Sequence, residues 1–443
     1  MKKIPALLFA ALCAFSSTAQ AAGFYIQEQS VSHQGESYAG AGAEASDAST
    51  IFYNPAGMTQ LSGKQAVLSA SIIVPQSRFR DTGTTAGLTA GGPGAQAPQG
   101  GNNGGDPFSP ALVPAFYAAS PLTEDGRYWA GIGVSAPFGL SLSYNPGWVG
   151  RYDSTKSNLA VTDIAPVFAA KITDNFSIGG GPDLQYATAQ LSSALPCPNA
   201  GFGCGAAFSP ATDGVSRLDG DSWAVGYNVG ALWNVDKDTR VGAQYRSAVT
   251  QTLKGAATVA GLGGALAGQN GVTDASAKLK LPDIASLSLA HDVNDRLTVL
   301  GGANWYGWKN FNEIRVVFAT GAPANVTPEN YRDSYGLSAG AEWKQSSRLT
   351  LRGGIQYDET PTTSSRTTRT PDSDRYWLSV GASYAVTSGF SIDAAASHVF
   401  MPDANINLAK VIYGGTGASS TVDLNAKTAN QINIASLQAV VRF

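Results

Sequence analysis

The chain has 443 residues and a formal net charge of −3 at pH 7, and only 14% of its residues are charged. Soluble domains carry about 25% charged residues, and the balance of charge argues against a nucleic-acid partner. With 43% hydrophobic residues, 51 glycines, 17 tyrosines, 17 phenylalanines and 8 tryptophans, the composition is typical of many short alternating strands with aromatic residues available for membrane interfaces.

The first segment of the chain has the features of a secretory signal. Two lysines precede the apolar run 4–15, and small residues follow at 19–21. We therefore predict a signal peptide over 1–21 and a mature chain that begins at Ala22. No later stretch offers the ~18 consecutive apolar residues of a membrane-spanning helix.

Residues 22–61 are rich in small and polar side chains and show no strand alternation. A flexible surface arm and a compact plug are both compatible with this composition. Because glycine and alanine allow close backbone packing in a crowded interior, we favour a plug, or hatch, over 22–61, followed by a barrel domain over 62–443.

Candidate strands follow one another from there to the C-terminus. Along Trp223 to Trp233, alternate residues are apolar and each end is aromatic, as expected for a strand that faces lipid. The fourteen predicted strands cover 63–75, 111–120, 127–143, 157–171, 175–190, 220–234, 238–254, 276–292, 295–318, 331–345, 347–359, 374–387, 390–401 and 431–443.

The connections between these strands alternate between two or so residues and long polar segments such as 76–110, 191–219, 255–275 and 402–430. Outer-membrane barrels have tight periplasmic turns and long extracellular loops. An even strand number closes the sheet and leaves no edge unpaired in lipid. The predicted fold class is an all-β, 14-stranded antiparallel transmembrane barrel with the N-terminal hatch inside its lumen.

The chain ends on Phe443 after an alternating strand, which is similar to the terminal signal by which the barrel-assembly machinery recognises its clients. Cys197 and Cys204 enclose a short segment, and a disulfide is the expected state in an oxidising compartment. We predict no metal site and no cofactor, because the three histidines are scattered through the sequence.

Two predicted strands are interrupted by proline, at Pro137 and at Pro166. Proline cannot donate to the ladder, so pairing with one neighbour must lapse. A bulge without function and a gap in the barrel wall are both consistent with this pattern.

Several motifs, in order along nearly the whole mature chain, resemble the FadL-type outer-membrane transporters of long-chain fatty acids and other hydrophobic compounds. They are Ala22-Gly23-Phe24, the segment from Asp47 to Ala56, Ala136-Pro137-Phe138-Gly139-Leu140, Gln244-Tyr245-Arg246-Ser247, Leu281-Pro282-Asp283 and the run 371–379.

The resemblance implies capture of an apolar substrate by extracellular loops, a pocket beside the hatch, and sideways exit at a kinked strand. Phe24 then lines the pocket end of the hatch, and the kink lies at Pro137, Phe138 and Gly139. Asn54, Pro55 and Ala56 form the hatch motif.

The chain departs from the pattern at the basic residues that hold a fatty-acid carboxylate, because the strand end 186–190 is uncharged. Arg315 is a possible substitute, although an arginine of a barrel interior more often belongs to a polar network. The substrate class therefore stays open between fatty acids and aromatic or aliphatic hydrocarbons.

The function we expect is passive uptake of such molecules across a bacterial outer membrane by a monomer in contact with outer-membrane lipid and lipopolysaccharide. A structural or adhesive barrel and a general porin are the alternatives outside this class. No enzyme is predicted, since no histidine is followed at two residues by serine and no phosphate-binding G-x-x-x-x-G-K-[ST] motif occurs.

Overall fold

A computed structural model describes residues 23–89, 96–364 and 366–443. The signal peptide predicted for 1–21 and the predicted first mature residue, Ala22, lie outside this range. The described strands form a single sheet of antiparallel neighbours, and its last strand pairs with its first. The predicted all-β, 14-stranded closed barrel with an internal N-terminal hatch is confirmed.

Within the described residues, 21 strand segments make the 14 wall strands and parts of the long loops. They are β1 (Gln65–Asp81), β2 (Thr85–Leu88), β3 (Ala97–Pro98), β4 (Ala111–Pro121), β5 (Tyr128–Ser143), β6 (Lys156–Thr173), β7 (Phe176–Leu195), β8 (Gly214–Asn234), β9 (Thr239–Arg246), β10 (Val249–Ala260), β11 (Gly271–Leu281), β12 (Ile284–Asn294), β13 (Leu297–Tyr306), β14 (Glu313–Phe318), β15 (Asn325–Pro328), β16 (Ser334–Lys344), β17 (Leu349–Asp358), β18 (Arg375–Thr387), β19 (Phe390–Phe400), β20 (Ala404–Ile412) and β21 (Ser420–Arg442). The segments β2, β3, β15 and β20 belong to the long loops, and three wall strands consist of two segments each.

Three wall positions contain a strand that is interrupted, which corrects the continuous strands predicted over 238–254, 276–292 and 295–318. The breaks fall between β9 and β10, between β11 and β12, and between β13 and β14. Pro282 and a short 3₁₀ helix, Trp308–Asn310, account for two of them. Since the breaks lie in neighbouring strands, they form a seam across one side of the wall.

Two loops predicted from the sequence are partly strand. β21 begins at Ser420 rather than near 431, because β20 pairs with its first part. β1 continues to Asp81 by pairing with β21 along its whole length. Both extensions lie at the end of the barrel with the long connections, while the other end carries short turns such as 174–175 and 388–389.

Side chains alternate between the lumen and the outer face of the wall. On β8, Trp223, Val225, Tyr227, Val229 and Trp233 are exposed, as the sequence predicts, and Asn228 and Leu232 between them are buried. An outward apolar stripe with aromatic ends suits a hydrocarbon layer bounded by two interfaces.

The hatch consists of short helices joined by turns. They are α1 (Val31–Gly35), α2 (Thr50–Tyr53) and a 3₁₀ helix, Pro55–Gln60. Almost every residue of 23–61 is buried. No helix within the described residues is long and apolar enough to cross a membrane.

A belt of wall glycines lets the hatch backbone approach the barrel closely. A Cβ atom added at any of them would meet hatch atoms at a distance that real Cβ atoms do not show. The clearest cases are Gly131, Gly179, Gly230, Gly242, Gly340, Gly354 and Gly381, which lie on seven different strands. Side chains add hydrogen bonds across this contact, including Ser37 to Ser379 and Gln34 to Ser397.

Candidate functional site

An apolar cavity lies between the hatch and the end of the barrel that carries the long loops. It contains about 710 Å³ of empty space, its open mouth included. Its walls come from β5, β6, β7, β8, β10, β11 and β14, and its apolar lining consists of Phe24, Leu140, Leu159, Ala189, Leu191, Leu218, Leu253, Ala275, Ala277, Leu279, Phe311 and Ile314.

Aromatic rings close the cavity on the hatch side. Phe24 packs edge-on against Trp308 and Phe311, with ring centroids 4.6 and 5.4 Å apart. Phe138 lies 6.2 Å from Phe24, and Tyr331 packs on Phe311 at 4.9 Å. The structure thus places Phe24 at the hatch end of the cavity, as the resemblance implies.

One buried cation, Arg369, reaches the cavity from the loop 359–374. Its guanidinium donates to the Asp153 carbonyl oxygen at 2.7 Å and to the Ser157 hydroxyl at 3.0 Å. Among the described residues no carboxylate oxygen lies within 4.0 Å of it, so its charge has no ion-pair partner.

Three further charged groups surround Arg369. Lys410 lies 3.5 Å from the Asp153 carboxylate. Burial alone would raise the pKa of Asp153, but Lys410, Arg369 and hydrogen bonds from Thr368 hold it below its usual range.

Glu329 is the third group around Arg369, and its pKa is shifted in the opposite direction to that of Asp153. Burial and the neighbouring Asp153 carboxylate raise the pKa of Glu329 to about 8, despite the attraction of Arg369. Near neutral pH Glu329 is therefore largely protonated, and within this group Arg369 is the cation that lines the cavity.

The structure places Arg315, the possible substitute for the missing carboxylate-binding residues, away from the cavity. Its side chain is half exposed on β14 and pairs with Glu313 at 2.7 Å, so it does not line the cavity. Arg369, in contrast, lines the cavity. It could not be predicted from the sequence, because it lies in a loop that folds back over the barrel, whereas basic residues were expected at the strand end 186–190 or in the segment before Tyr331.

The pairing between β4 and β5 stops part-way along the barrel wall. These strands pair from Pro121–Trp129 as far as Phe116–Val134 and then separate. Immediately beyond, the pairing of β5 with β6 is shifted between Ser135 and Phe138, so that Ala136 and Pro137 form a bulge. The predicted kink at Pro137, Phe138 and Gly139 lies at the edge of this separation.

The first described hatch residues form hydrogen bonds with the backbone groups of β5 that have no strand partner at the bulge. Ile26 donates its N–H to the Pro137 carbonyl oxygen at 2.8 Å, and Gly139 donates to the Phe24 carbonyl oxygen at 2.9 Å. The Gln29 amide donates to the Ala136 carbonyl oxygen and accepts its N–H, at 2.9 and 3.2 Å. The hatch thus replaces a missing strand neighbour here.

The second interruption, at Pro166, has a different setting. Pairing of β6 with β7 lapses between Ile164 and Phe168. Inside the barrel at this level, Arg246 bridges Asp163 and Asp183 at 3.1 and 2.9 Å. A buried ion-pair network therefore lies on the lumen side of this lapse. At the separation of β4 from β5, the described contacts are instead hydrogen bonds from the hatch.

The hatch motif Asn54-Pro55-Ala56 does not line the cavity. The Asn54 amide donates to the carbonyl oxygens of Gly42 and Ala231, at 2.7 and 2.9 Å, and its oxygen accepts the Ala56 N–H. Pro55 opens the 3₁₀ helix, where its missing N–H costs nothing. The motif therefore fastens the hatch to itself and to β8.

Two other residues singled out in the sequence lie away from the cavity. Cys197 and Cys204 form a disulfide in the loop between β7 and β8. Phe443 is exposed, and its N–H donates to the Lys64 carbonyl oxygen next to the first strand. Its role as an assembly signal stays a prediction.

The model of the family described as outer membrane protein transport protein (OMPP1/FadL/TodX) matches residues 12–443. A 47 kDa outer membrane protein of Pasteurella multocida is 30% identical over 408 residues, which cover 89% of this chain and 90% of that protein. A long-chain fatty acid transport protein of Escherichia coli is 27% identical over 414 residues, covering 88% and 90%.

Solved structures show the same fold. A FadL homologue from Pseudomonas aeruginosa superposes with a TM-score of 0.84 at 24% identity, covering 95% of this chain and 100% of that one. The toluene transporter TodX of Pseudomonas putida gives a TM-score of 0.67 at 17% identity, covering 96% and 100%.

Proposed function

Since this chain belongs to the OMPP1/FadL/TodX family and is an outer-membrane transporter of hydrophobic compounds, we propose that its substrates are long-chain fatty acids, taken up passively. The observation that carries this choice is the buried Arg369, a cation without an ion-pair partner at the rim of an apolar cavity. An acyl chain suits the apolar lining, and a carboxylate completes the charge balance at the rim.

The energetics favour capture of such a molecule. Each CH₂ group that moves from water into the cavity gains ~0.8 kcal/mol, which is enough to extract a long acyl chain from water. The same gain would trap the molecule unless the cavity changes shape. Phe24 is the part of the lining that belongs to the hatch, so movement of the hatch N-terminus changes the cavity.

The proposed route runs from the long loops to the cavity and then sideways between β4 and β5. The separation of these strands supports the exit, because the β4–β5 pairing stops at Phe116–Val134, part-way along the wall. No gradient other than that of the substrate is required.

The experiment for the carboxylate compares palmitate with hexadecanol, which has the same chain and no charge. Arg369→Gln is expected to weaken palmitate binding by about 10- to 150-fold, the value of a charge-assisted hydrogen bond of about 1.5–3 kcal/mol. Hexadecanol binding should change little. Arg315→Gln is the matched control, since it removes an exposed arginine near the same end of the barrel.

The second candidate function is uptake of aromatic or aliphatic hydrocarbons, which the almost wholly apolar lining of the cavity favours. A hydrocarbon makes no use of Arg369. Uptake of toluene that equals or exceeds uptake of palmitate, with both unaffected by Arg369→Gln, would establish this function and reject the fatty-acid proposal.

The exit is tested in cells that lack their own transporter. The double variant Pro137→Val/Gly139→Val restores a strand that can pair with β4, and we expect it to reduce uptake while the barrel still folds. Pro166→Val is the matched control, because it repairs the other interrupted strand. If the restored wall leaves uptake unchanged, sideways exit is wrong.

A further inference from the structure

The hatch contains a buried cluster of one imidazole and two carboxylates that transport does not use. His33 and Glu36 lie three residues apart, in and just after α1, and so face the same side. The chain then turns through Gly40, whose φ is +69°, and returns Glu44 to the same point. The side chains are 0%, 0% and 8% exposed.

The three groups have the spacing of ligands around one ion. His33 Nδ1 lies 3.5 Å from Glu36 Oε2 and 3.5 Å from Glu44 Oε2, and all three atoms lie within 4.8 Å of one another. Four ligands at about 2.0–2.2 Å from a tetrahedral ion are separated by roughly 3.3–3.6 Å.

The ligand atoms have no other use within the described part of the chain. Neither ring nitrogen of His33 has a hydrogen-bond partner, and the same holds for Glu36 Oε2 and Glu44 Oε2. Buried polar atoms are rarely left in this state, because each costs about 1–3 kcal/mol. One ion coordinated by the imidazole and both carboxylates would satisfy all of these atoms at once.

The charge of the cluster points to the kind of partner. Arg352 binds Glu36 Oε1 at 2.8 Å and Glu342 Oε2 at 2.7 Å, so two carboxylates share this guanidinium, while Glu44 faces His33. With the three carboxylates ionised and His33 neutral, the net charge of the cluster is −2. A divalent cation brings it to zero.

We propose that His33, Glu36 and Glu44 bind a divalent transition-metal ion of the Zn²⁺ class. Imidazole and carboxylate ligands suit Zn²⁺ and its neighbours, whereas Ca²⁺ and Mg²⁺ prefer oxygen ligands alone. Arg352 is the outer-shell partner that orients Glu36.

The proposed ion would cross-link two segments of the hatch. It joins α1 to the segment around Glu44, and through Arg352 it connects both to β17 of the wall. This inference is independent of the transported substrate. The proposal differs from the sequence-based prediction of no metal site, which depended on the scattered histidines. Only the fold brings the carboxylates of Glu36 and Glu44 next to a single histidine.

The test uses the full chain in detergent after treatment with a chelator. Titration with ZnCl₂, followed by calorimetry and by thermal unfolding, should show one ion per chain and a rise in the unfolding temperature. His33→Asn and Glu44→Gln should each weaken binding by more than the roughly 10- to 100-fold cost of losing an outer-shell partner. The double variant His291→Asn/His398→Asn, which removes the other two histidines, should bind like the wild type.

Co²⁺ provides a readout that does not depend on stability, since an imidazole–carboxylate site of low coordination gives visible absorption bands. Those bands should be present in the wild type and absent in His33→Asn, with folding of each variant checked by the heat-dependent mobility of the barrel on gels. Failure of the chelated wild type to bind Zn²⁺ would overturn the site, as would undiminished binding in both ligand variants.

Discussion

Substitution of Gly354 by alanine tests whether the glycine belt is what seats the hatch. A Cβ at Gly354 would lie 2.8 Å from the Glu36 Cα and closer still to its carbonyl group. The next residue supplies the control, because a Cβ at Gly353 faces the other side of the sheet and has no neighbour nearer than the Ser379 carbonyl oxygen at 4.0 Å. The two variants thus differ only in which face gains a methyl group.

The size of the effect follows from how firmly Glu36 is held. Its neighbours Ser37 and Gln34 donate to Ser379 and Ser397 on the wall, at 2.7 and 3.1 Å, so the segment cannot retreat without breaking these bonds. Overpacking of this kind costs about 1–3 kcal/mol. That cost raises the population of the displaced hatch by about 5- to 150-fold, since about 1.4 kcal/mol corresponds to a factor of ten.

The assay is hydrogen exchange of hatch amides in detergent, together with conductance in planar bilayers. We expect Gly354→Ala to exchange faster over 31–45 and to show more frequent open events, with barrel amides unchanged. Gly353→Ala should match the wild type. Equal behaviour of the two variants, or a wild-type result for Gly354→Ala, would refute the view that close backbone contact holds the hatch.

Three further predictions concern groups elsewhere. Because burial raises the pKa of Glu329 to about 8, palmitate affinity should be highest where palmitate is ionised and Glu329 is still protonated. It should fall as the pH rises through about 8, when the ionised Glu329 carboxylate competes for Arg369, and titrations of Glu329→Gln should show no such fall. Asn54→Ala should leave the Gly42 and Ala231 carbonyl oxygens unpaired and loosen the hatch by about 1–3 kcal/mol, measured as faster exchange over 40–60. Replacement of both Cys197 and Cys204 by serine should destabilise their loop by about 2–3 kcal/mol without affecting palmitate binding, which loop exchange and binding titrations can check.

Most of the barrel strands could be predicted from the alternation of apolar and polar side chains. Each wall residue faces either lipid or the lumen, and these two environments select different residues. Trp223 to Trp233 is such a stretch. The break between β9 and β10 could not be predicted in this way, because the apolar pattern resumes after Ser247-Ala248 and no residue there signals the end of a strand. The break at Pro282 did carry a local signal, since proline cannot complete a ladder.

The candidate site was less predictable, because its polar part is assembled from distant loops. Arg369 donates to Asp153 and Ser157, more than 200 residues away in the chain. The loop 359–374 contains many polar residues that cannot be told apart in the sequence, and only the fold shows that Arg369 and Thr370 line the cavity. Phe24 was easier to place because its family motif fixes the start of the hatch.

The hatch N-terminus links the three parts of the proposed route. Phe24 lines the cavity, and the backbone of Phe24 and Ile26 occupies the bulge of β5 beside the gap. Gly23 donates to Asp372, three residues after Arg369 in the same loop. The two backbone bonds to β5 contribute about 0.5–1.5 kcal/mol each, whereas four buried CH₂ groups gain about 3 kcal/mol. The burial of an acyl chain is thus comparable in size to the cost of those two bonds, and the proposed displacement of the Phe24 ring would uncover the edge of β5 at which exit is proposed.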